Sequence, residues 1–143
     1  SQPTLVLVDS IEMAKFYWKN IPEDVFQKLI KSYWPGSLTI ILRCNRVKVP
    51  ELVRGGGDTL GARIPNHKKA LKLIKDVGVP ILGPSANFHG EKTPFRFEEL
   101  NPELVKLVDC VVPGDTGFKK LPSTVIDCSK KPWTIIRKGA VEI

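Results

Sequence analysis

Apolar residues along this chain come in short runs, and the spacing inside each run points to a particular element. Residues 4–9, TLVLVD, are a short apolar run and read as a buried strand. Ser10 follows, and its side-chain oxygen suits the free amides of a helix start, so IEMAKFYWKN is predicted helical from there. Pro22 with Glu23 and Asp24 marks a second start, with acids at the positive end of the helix. Val25, Leu29 and Tyr33 then recur at helical spacing beside Phe26 and Ile30, and Pro35-Gly36 stops the run.

The period then changes. SLTIILRC (37–44) is β-branched and apolar, hence a strand. Residues 45–58 read as a long irregular connection, and TLGARIP (59–65) as a strand ending at a proline. NHKKALKLIKDVG (66–78) is the clearest helix: Asn66 is its expected cap, Ala70, Leu71 and Ile74 share a face, and Gly78 suits its end. VPIL (79–82) reads as a buried strand that feeds the polar loop GPSANFHGEKTP (83–94). FEELNPELVKLV (97–108) reads as helical with a break at Pro102. DCVVPGD (109–115) and STVIDC (123–128) read as strands around the polar loop TGFKKLP, and PWTIIRKGAVEI as one more strand and a turn. Helices and strands alternate over the first two thirds, and strands dominate the end. The expected fold is α/β, a mixed parallel and antiparallel sheet flanked by helices. A length of 143 residues, without repeat or linker, predicts one domain over 1–143.

Composition narrows the class. No apolar run approaches the ~18–20 residues of a membrane span. SQPTLVLVDS carries neither a basic stretch nor a small-residue cleavage site, so a secretory leader is not expected. Cys44, Cys110 and Cys128 are odd in number and form no C-x-x-C pair, which argues against a zinc site or a disulfide framework and for a reduced, cytoplasmic setting. The net charge of +7 favours polyanionic partners such as nucleotides or RNA, or simply a solvated basic surface.

Four segments are rich in hydroxyl, glycine or arginine and are expected beyond strand ends, where open α/β sheets gather ligands: WPGSLT (34–39), GGGDTLGAR (55–63), GPSANFHGEKTP and LPSTVID (121–127). The three glycines match neither phosphate-loop nor dinucleotide spacing and read first as a turn. Arg63 sits inside an apolar strand, where a buried charge needs an anionic partner; an ion pair and an anionic ligand both satisfy it. Arg137 raises the same question. Ser85 and Asn87 are two apart and on an extended segment would face one side, offering a hydroxyl and an amide to phosphate or sugar oxygens; a local turn is the alternative. Ser123 and Thr124 also read as plain strand residues, and Asp127 as a solvated turn, with a metal-site carboxylate as the alternative. His67 reads as a capping or surface residue and His89 as exposed. With no serine elbow and no carboxylate pair, no catalytic residue is expected; chemistry by positioning and charge stabilisation is.

WPGSLTIIL, DTLGARIPNH, GPSANFHGEKTP, LPSTVID and IIRKGAVEI occur in this order, and the set resembles the YrdC family of threonylcarbamoyl-AMP synthases from residue 1 to the end. The resemblance implies a twisted mixed sheet with a concave cavity. It implies a nucleotidyltransferase that turns L-threonine, bicarbonate and ATP into threonylcarbamoyl-adenylate and pyrophosphate, with Mg2+ accompanying the ATP. The product serves threonylcarbamoyladenosine formation on tRNA with separate transfer proteins. Carried over by position, Thr59, Ser85, Asn87, Thr93 and Arg137 are implied to bind ATP. Arg63, Gly83 and Ser123 are implied to hold threonine, and Thr39 in the P-G-x-x-T turn joins the set.

The family's PGP turn is PGS here, with Ser37 in place of proline. Family members also carry a Lys-x-Arg segment ahead of the first strand. An N-terminally incomplete domain is therefore expected, not fully active as it stands and with apolar surface free for self-association. Two alternatives are the related domain of hydrogenase-maturation carbamoyltransferases and a non-enzymatic RNA-binding module.

Overall fold

A computed structural model of the chain describes residues 4–114 and 121–143. These fall into two compact units, one made of residues 4–83 and 121–143, the other of residues 84–114.

The first unit is built on six strands: β1 (Val6–Leu7), β2 (Leu38–Arg43), β3 (Thr59–Arg63), β4 (Ile81–Leu82), β5 (Thr124–Asp127) and β6 (Thr134–Arg137), in the order β4-β1-β3-β2-β5-β6. β1 runs parallel to β3 and β2 parallel to β5; the β1–β4, β2–β3 and β5–β6 pairs are antiparallel. The expected mixed sheet is therefore present. Register fixes which side chains share a face, because residues paired across strands point the same way. Ile40 opposes Ala62, Leu42 opposes Leu60, Val6 opposes Ala62 and Ile40 opposes Ile126, and all of these are buried. Together with Ala14, Trp18, Val25, Leu29 and Ile30 they form the core. Each fully buried Leu or Ile there contributes about 1.5–3 kcal/mol. The alternate set, Leu7, Thr39, Ile41, Thr59, Gly61, Arg63, Val125 and Arg137, lies on the other face.

The helices cover the core face. α1 (Ile11–Tyr17) starts where the Ser10 hydroxyl accepts from the Met13 amide. α2 (Glu23–Val25) runs through a π-helical turn, Phe26–Ile30, into α3 (Lys31–Tyr33); Val25, Leu29 and Ile30 are its buried residues. Two indoles join these helices to the sheet. Trp18 and Trp34 stack at 5.9 Å, and their N–H groups donate to the Leu60 and Leu38 carbonyls at 2.9 and 2.7 Å. Trp18 is thus buried and Trp34 half-buried without stranding a donor.

Several expectations need correction. α4 (Lys68–Val77) is capped by His67, whose Nδ1 accepts from the Ala70 amide, and not by Asn66. Gly78 closes it in the left-handed conformation, φ 75°. VPIL contributes only β4, an outer strand whose Leu82 is exposed, so it is not a buried strand. Pro102 opens α5 (Pro102–Lys106), with the Asn101 side chain as cap, and does not break a helix; a 3-10 turn, Phe97–Glu99, precedes it. Residues 109–114 form no strand, and most of TGFKKLP, together with Asp115 and residues 1–3, lies outside the described residues. Among the described residues no helix is long and apolar enough to cross a membrane.

Candidate functional site

Three of the four polar segments lead into strands and do not follow them: 34–39 enters β2, 55–63 contains β3, and 121–127 enters β5. Strand direction explains why their residues still meet. β2 and β5 are parallel, so their starts, with Leu38 opposite Thr124, lie at one end of the sheet. β3 is antiparallel to β2 and β6 to β5, so the ends of β3 and β6 reach that same end. Thr39, Ser123, Arg63 and Arg137 are gathered there.

Ser123 is the hub. The Arg137 guanidinium donates from Nε and Nη2 to the Ser123 carbonyl at 3.0 and 2.9 Å, and from Nη2 to its hydroxyl at 3.1 Å. The hydroxyls of Ser123 and Thr39 are 3.0 Å apart. Thr39 is 1% exposed, whereas Ser123 is half-buried.

Arg63 is half-buried and donates weakly from Nη1 to the Gly36 carbonyl at 3.5 Å, while its buried Nε has no acceptor among the described residues. Nor does any described carboxylate form an ion pair with it. Burial and, second, the neighbouring charge of Arg137 lower its pKa. Two cations, an orphaned guanidinium N–H and a pair of hydroxyls make a site for an anionic oxygen group.

The remaining predicted positions are distributed. Thr59, at the other end of β3 on the same face, opposes Arg43. Gly83 donates its N–H to the Leu5 carbonyl at 3.1 Å, and a Cβ there would meet Leu5 Cδ1 at 2.9 Å and Leu7 Cγ at 3.0 Å. Ser85, Asn87 and Thr93 belong to the second unit. Ser85 is exposed, and Thr93 is half-buried. The Asn87 amide closes a turn, donating to the Phe88 and Glu91 carbonyls at 3.0 Å each, so the local-turn alternative holds for its Nδ2 and Asn87 does not lie on a simple extended face.

Thr124 reads in the sequence as a plain strand residue, and the structure gives it a larger role. Its buried hydroxyl donates to the Val141 carbonyl at 2.6 Å and accepts from the amides of Gly139 and Val141, while the Ala140 amide bonds the Pro122 carbonyl. These bonds clamp the C-terminal turn onto the segment that carries Ser123. A Cβ on Gly139 would lie 2.3 Å from the Pro122 carbonyl oxygen and 2.6 Å from the Ser123 carbonyl carbon. The only sequence signal was a threonine and a glycine next to predicted strands. Among the described residues no three His, Cys, Asp or Glu side chains come together to hold a metal ion.

Comparison with known proteins extends the picture beyond geometry. The family model Sua5/YciO/YrdC, described as "Telomere recombination", matches residues 1–139. The threonylcarbamoyl-AMP synthase of Pyrococcus abyssi is 34% identical over 141 residues, 99% of this chain and 41% of that protein. The threonylcarbamoyl-AMP synthase of Bacillus subtilis is 32% identical over 139 residues, 97% of this chain and 40% of that protein. The crystal structure of P. abyssi Sua5 complexed with L-threonine superimposes with a TM-score of 0.86 at 34% identity, over 96% of this chain and 40% of that one. The chain thus spans about two fifths of the length of these relatives.

Proposed function

This chain belongs to the Sua5/YciO/YrdC family, and we propose that it supplies threonine- and nucleotide-binding residues of a threonylcarbamoyl-AMP synthase. The reaction joins L-threonine, bicarbonate and ATP into threonylcarbamoyl-adenylate and releases pyrophosphate. One observation carries the reading: the Arg63 Nε–H is buried without an acceptor among the described residues, beside a second arginine. An amino-acid carboxylate suits that N–H in charge, and a guanidinium fork can pair with both carboxylate oxygens. A relative of 34% identity solved with L-threonine supports the substrate class.

In this reading Arg63 takes the threonine carboxylate, and Ser123 and Gly83 border the same substrate. Thr59 and Arg137 serve the nucleotide. Threonine's amine attacks the bicarbonate carbon, a C–O bond breaks and water leaves, giving a carbamate; a carbamate oxygen then attacks the α-phosphorus of ATP as the bond to pyrophosphate breaks. That step needs in-line placement and neutralised charge on the phosphoryl oxygens, and no protein nucleophile. Arg137 is suited to the second task. Magnesium would travel on the ATP phosphates and offset their charge; among the described residues no three His, Cys, Asp or Glu side chains come together to hold it.

The test is isothermal titration of the chain with L-threonine and with ATP, followed by an assay of pyrophosphate release. Saturable threonine binding is expected, and release that requires both threonine and bicarbonate. A chain that binds neither ligand but binds RNA in a salt-dependent way would be an RNA-binding module instead.

A further inference from the structure

Buried hydroxyls are constrained by where their protons can go, and the Thr39–Ser123–Arg137 chain has one consistent solution. A guanidinium only donates, so Ser123 Oγ must accept from Arg137 Nη2. Thr39 Oγ1 is enclosed, and among the described residues its hydroxyl has a single partner, Ser123 Oγ at 3.0 Å. If Ser123 donated to Thr39, the Thr39 O–H would be buried with no acceptor, a costly arrangement. If Thr39 donates, Ser123 accepts twice and its own proton is released. Ser123 is half-buried and lies at the sheet end that also holds Arg63, so that proton has somewhere to point.

We propose that Thr39 is a positioning residue: its hydroxyl donates to Ser123 Oγ and so turns the Ser123 O–H outward as a donor to an oxygen of the bound amino acid. This rests on the threonine reading of the site. The hydroxyl chain sets the polarity of one hydrogen bond to the substrate, while Arg137 stays in place without Thr39 because two of its bonds go to the Ser123 carbonyl.

The experiment compares Thr39→Val, which keeps the shape and removes the donor, with Thr39→Ser, which restores it. L-threonine and ATP affinities are titrated separately, and thermal unfolding is followed as the fold control. Thr39→Val is expected to weaken L-threonine binding about tenfold, the effect of one hydrogen bond, with ATP affinity unchanged and Thr39→Ser close to wild type. Equal weakening in both variants, or equal loss for both ligands, would mean that Thr39 only packs, and the proposal would fall. A second arm needs no ligand: in the free protein a slowly exchanging hydroxyl proton should be assigned to Thr39 by nuclear magnetic resonance. Assignment of that proton to Ser123 overturns the proposal even if threonine binds. A wild-type chain that binds no L-threonine while showing the Thr39 proton would refute the substrate role and leave the synthase reading as the part that failed.

Discussion

Arg137 grips Ser123 at both its carbonyl and its hydroxyl, while its charge bears on Arg63, whose buried Nε has no acceptor among the described residues. Arg137 is anchored by the protein through Nε and Nη2, whereas the Arg63 Nε is left for a ligand. The contrast assigns them different work.

Arg63→Ala should therefore weaken L-threonine binding by about 10–100-fold, the range for a lost charge-assisted pair, and should weaken ATP binding less. Paired titrations decide it; the reverse order would remove Arg63 from the threonine site.

The same residue should be a burden in the ligand-free protein. Burial and Arg137 both push the Arg63 pKa down, which means the folded state disfavours its charge. A base with a folded pKa below its unfolded value destabilises the fold wherever it remains charged, and arginine stays charged through the neutral range. Arg63→Met should raise the melting temperature by a few degrees. The gain should be flat from about pH 6 to about pH 9, because no titration intervenes. A lower melting temperature, or a gain that varies with pH, would contradict this account.

Gly139→Ala should be severe, since the added Cβ meets rigid backbone at Pro122 and Ser123 and not the tip of a movable side chain. The expected loss is about 3 kcal/mol or more by denaturant unfolding. Gly83→Ala meets only the ends of Leu5 and Leu7 and should cost about 1–2 kcal/mol.

Thr124→Val should cost about 2–3 kcal/mol, because it strands the part-buried Val141 carbonyl and two amides that the hydroxyl now serves. Thr124→Ser should recover most of that loss. If Val and Ser behaved alike, the methyl group and not the hydroxyl would be what the clamp needs.

Thiol chemistry offers a check on burial. All three cysteines are free, Cys44 and Cys128 buried and Cys110 exposed. Burial raises the Cys44 pKa, and burial followed by the Asp127 and Asp24 carboxylates pushes Cys128 up to about 12. At about pH 8 both stay protonated, so a disulfide reagent should label one thiol per folded chain. Cys110→Ser should abolish the fast phase; rapid labelling of Cys128 would mean the sheet end opens readily.

Local patterning was enough for most elements. The Ser10 cap, the Val25–Leu29–Ile30 stripe and the β-branched run at 38–43 each carry their signal within a few residues, because capping and period are local physics. The failures came where a neighbour decided. Asn66 is the cap that residue type favours and His67 reads as a capping or surface residue; the chain's geometry chose His67. VPIL is apolar enough for a central strand, yet it pairs only with β1 and stays at the margin.

The sequence by itself determined the residue types of the site: two arginines in apolar strands and hydroxyls at strand starts, recognisable as a family set. Only the tertiary structure decided that Arg63 and Arg137, at strand ends, and Thr39 and Ser123, at or just before strand starts, share one end of the sheet. The reason is strand direction, which composition and spacing do not encode: parallel β2–β5 and antiparallel β3 and β6 fold positions up to 98 residues apart, from Thr39 to Arg137, onto a single edge.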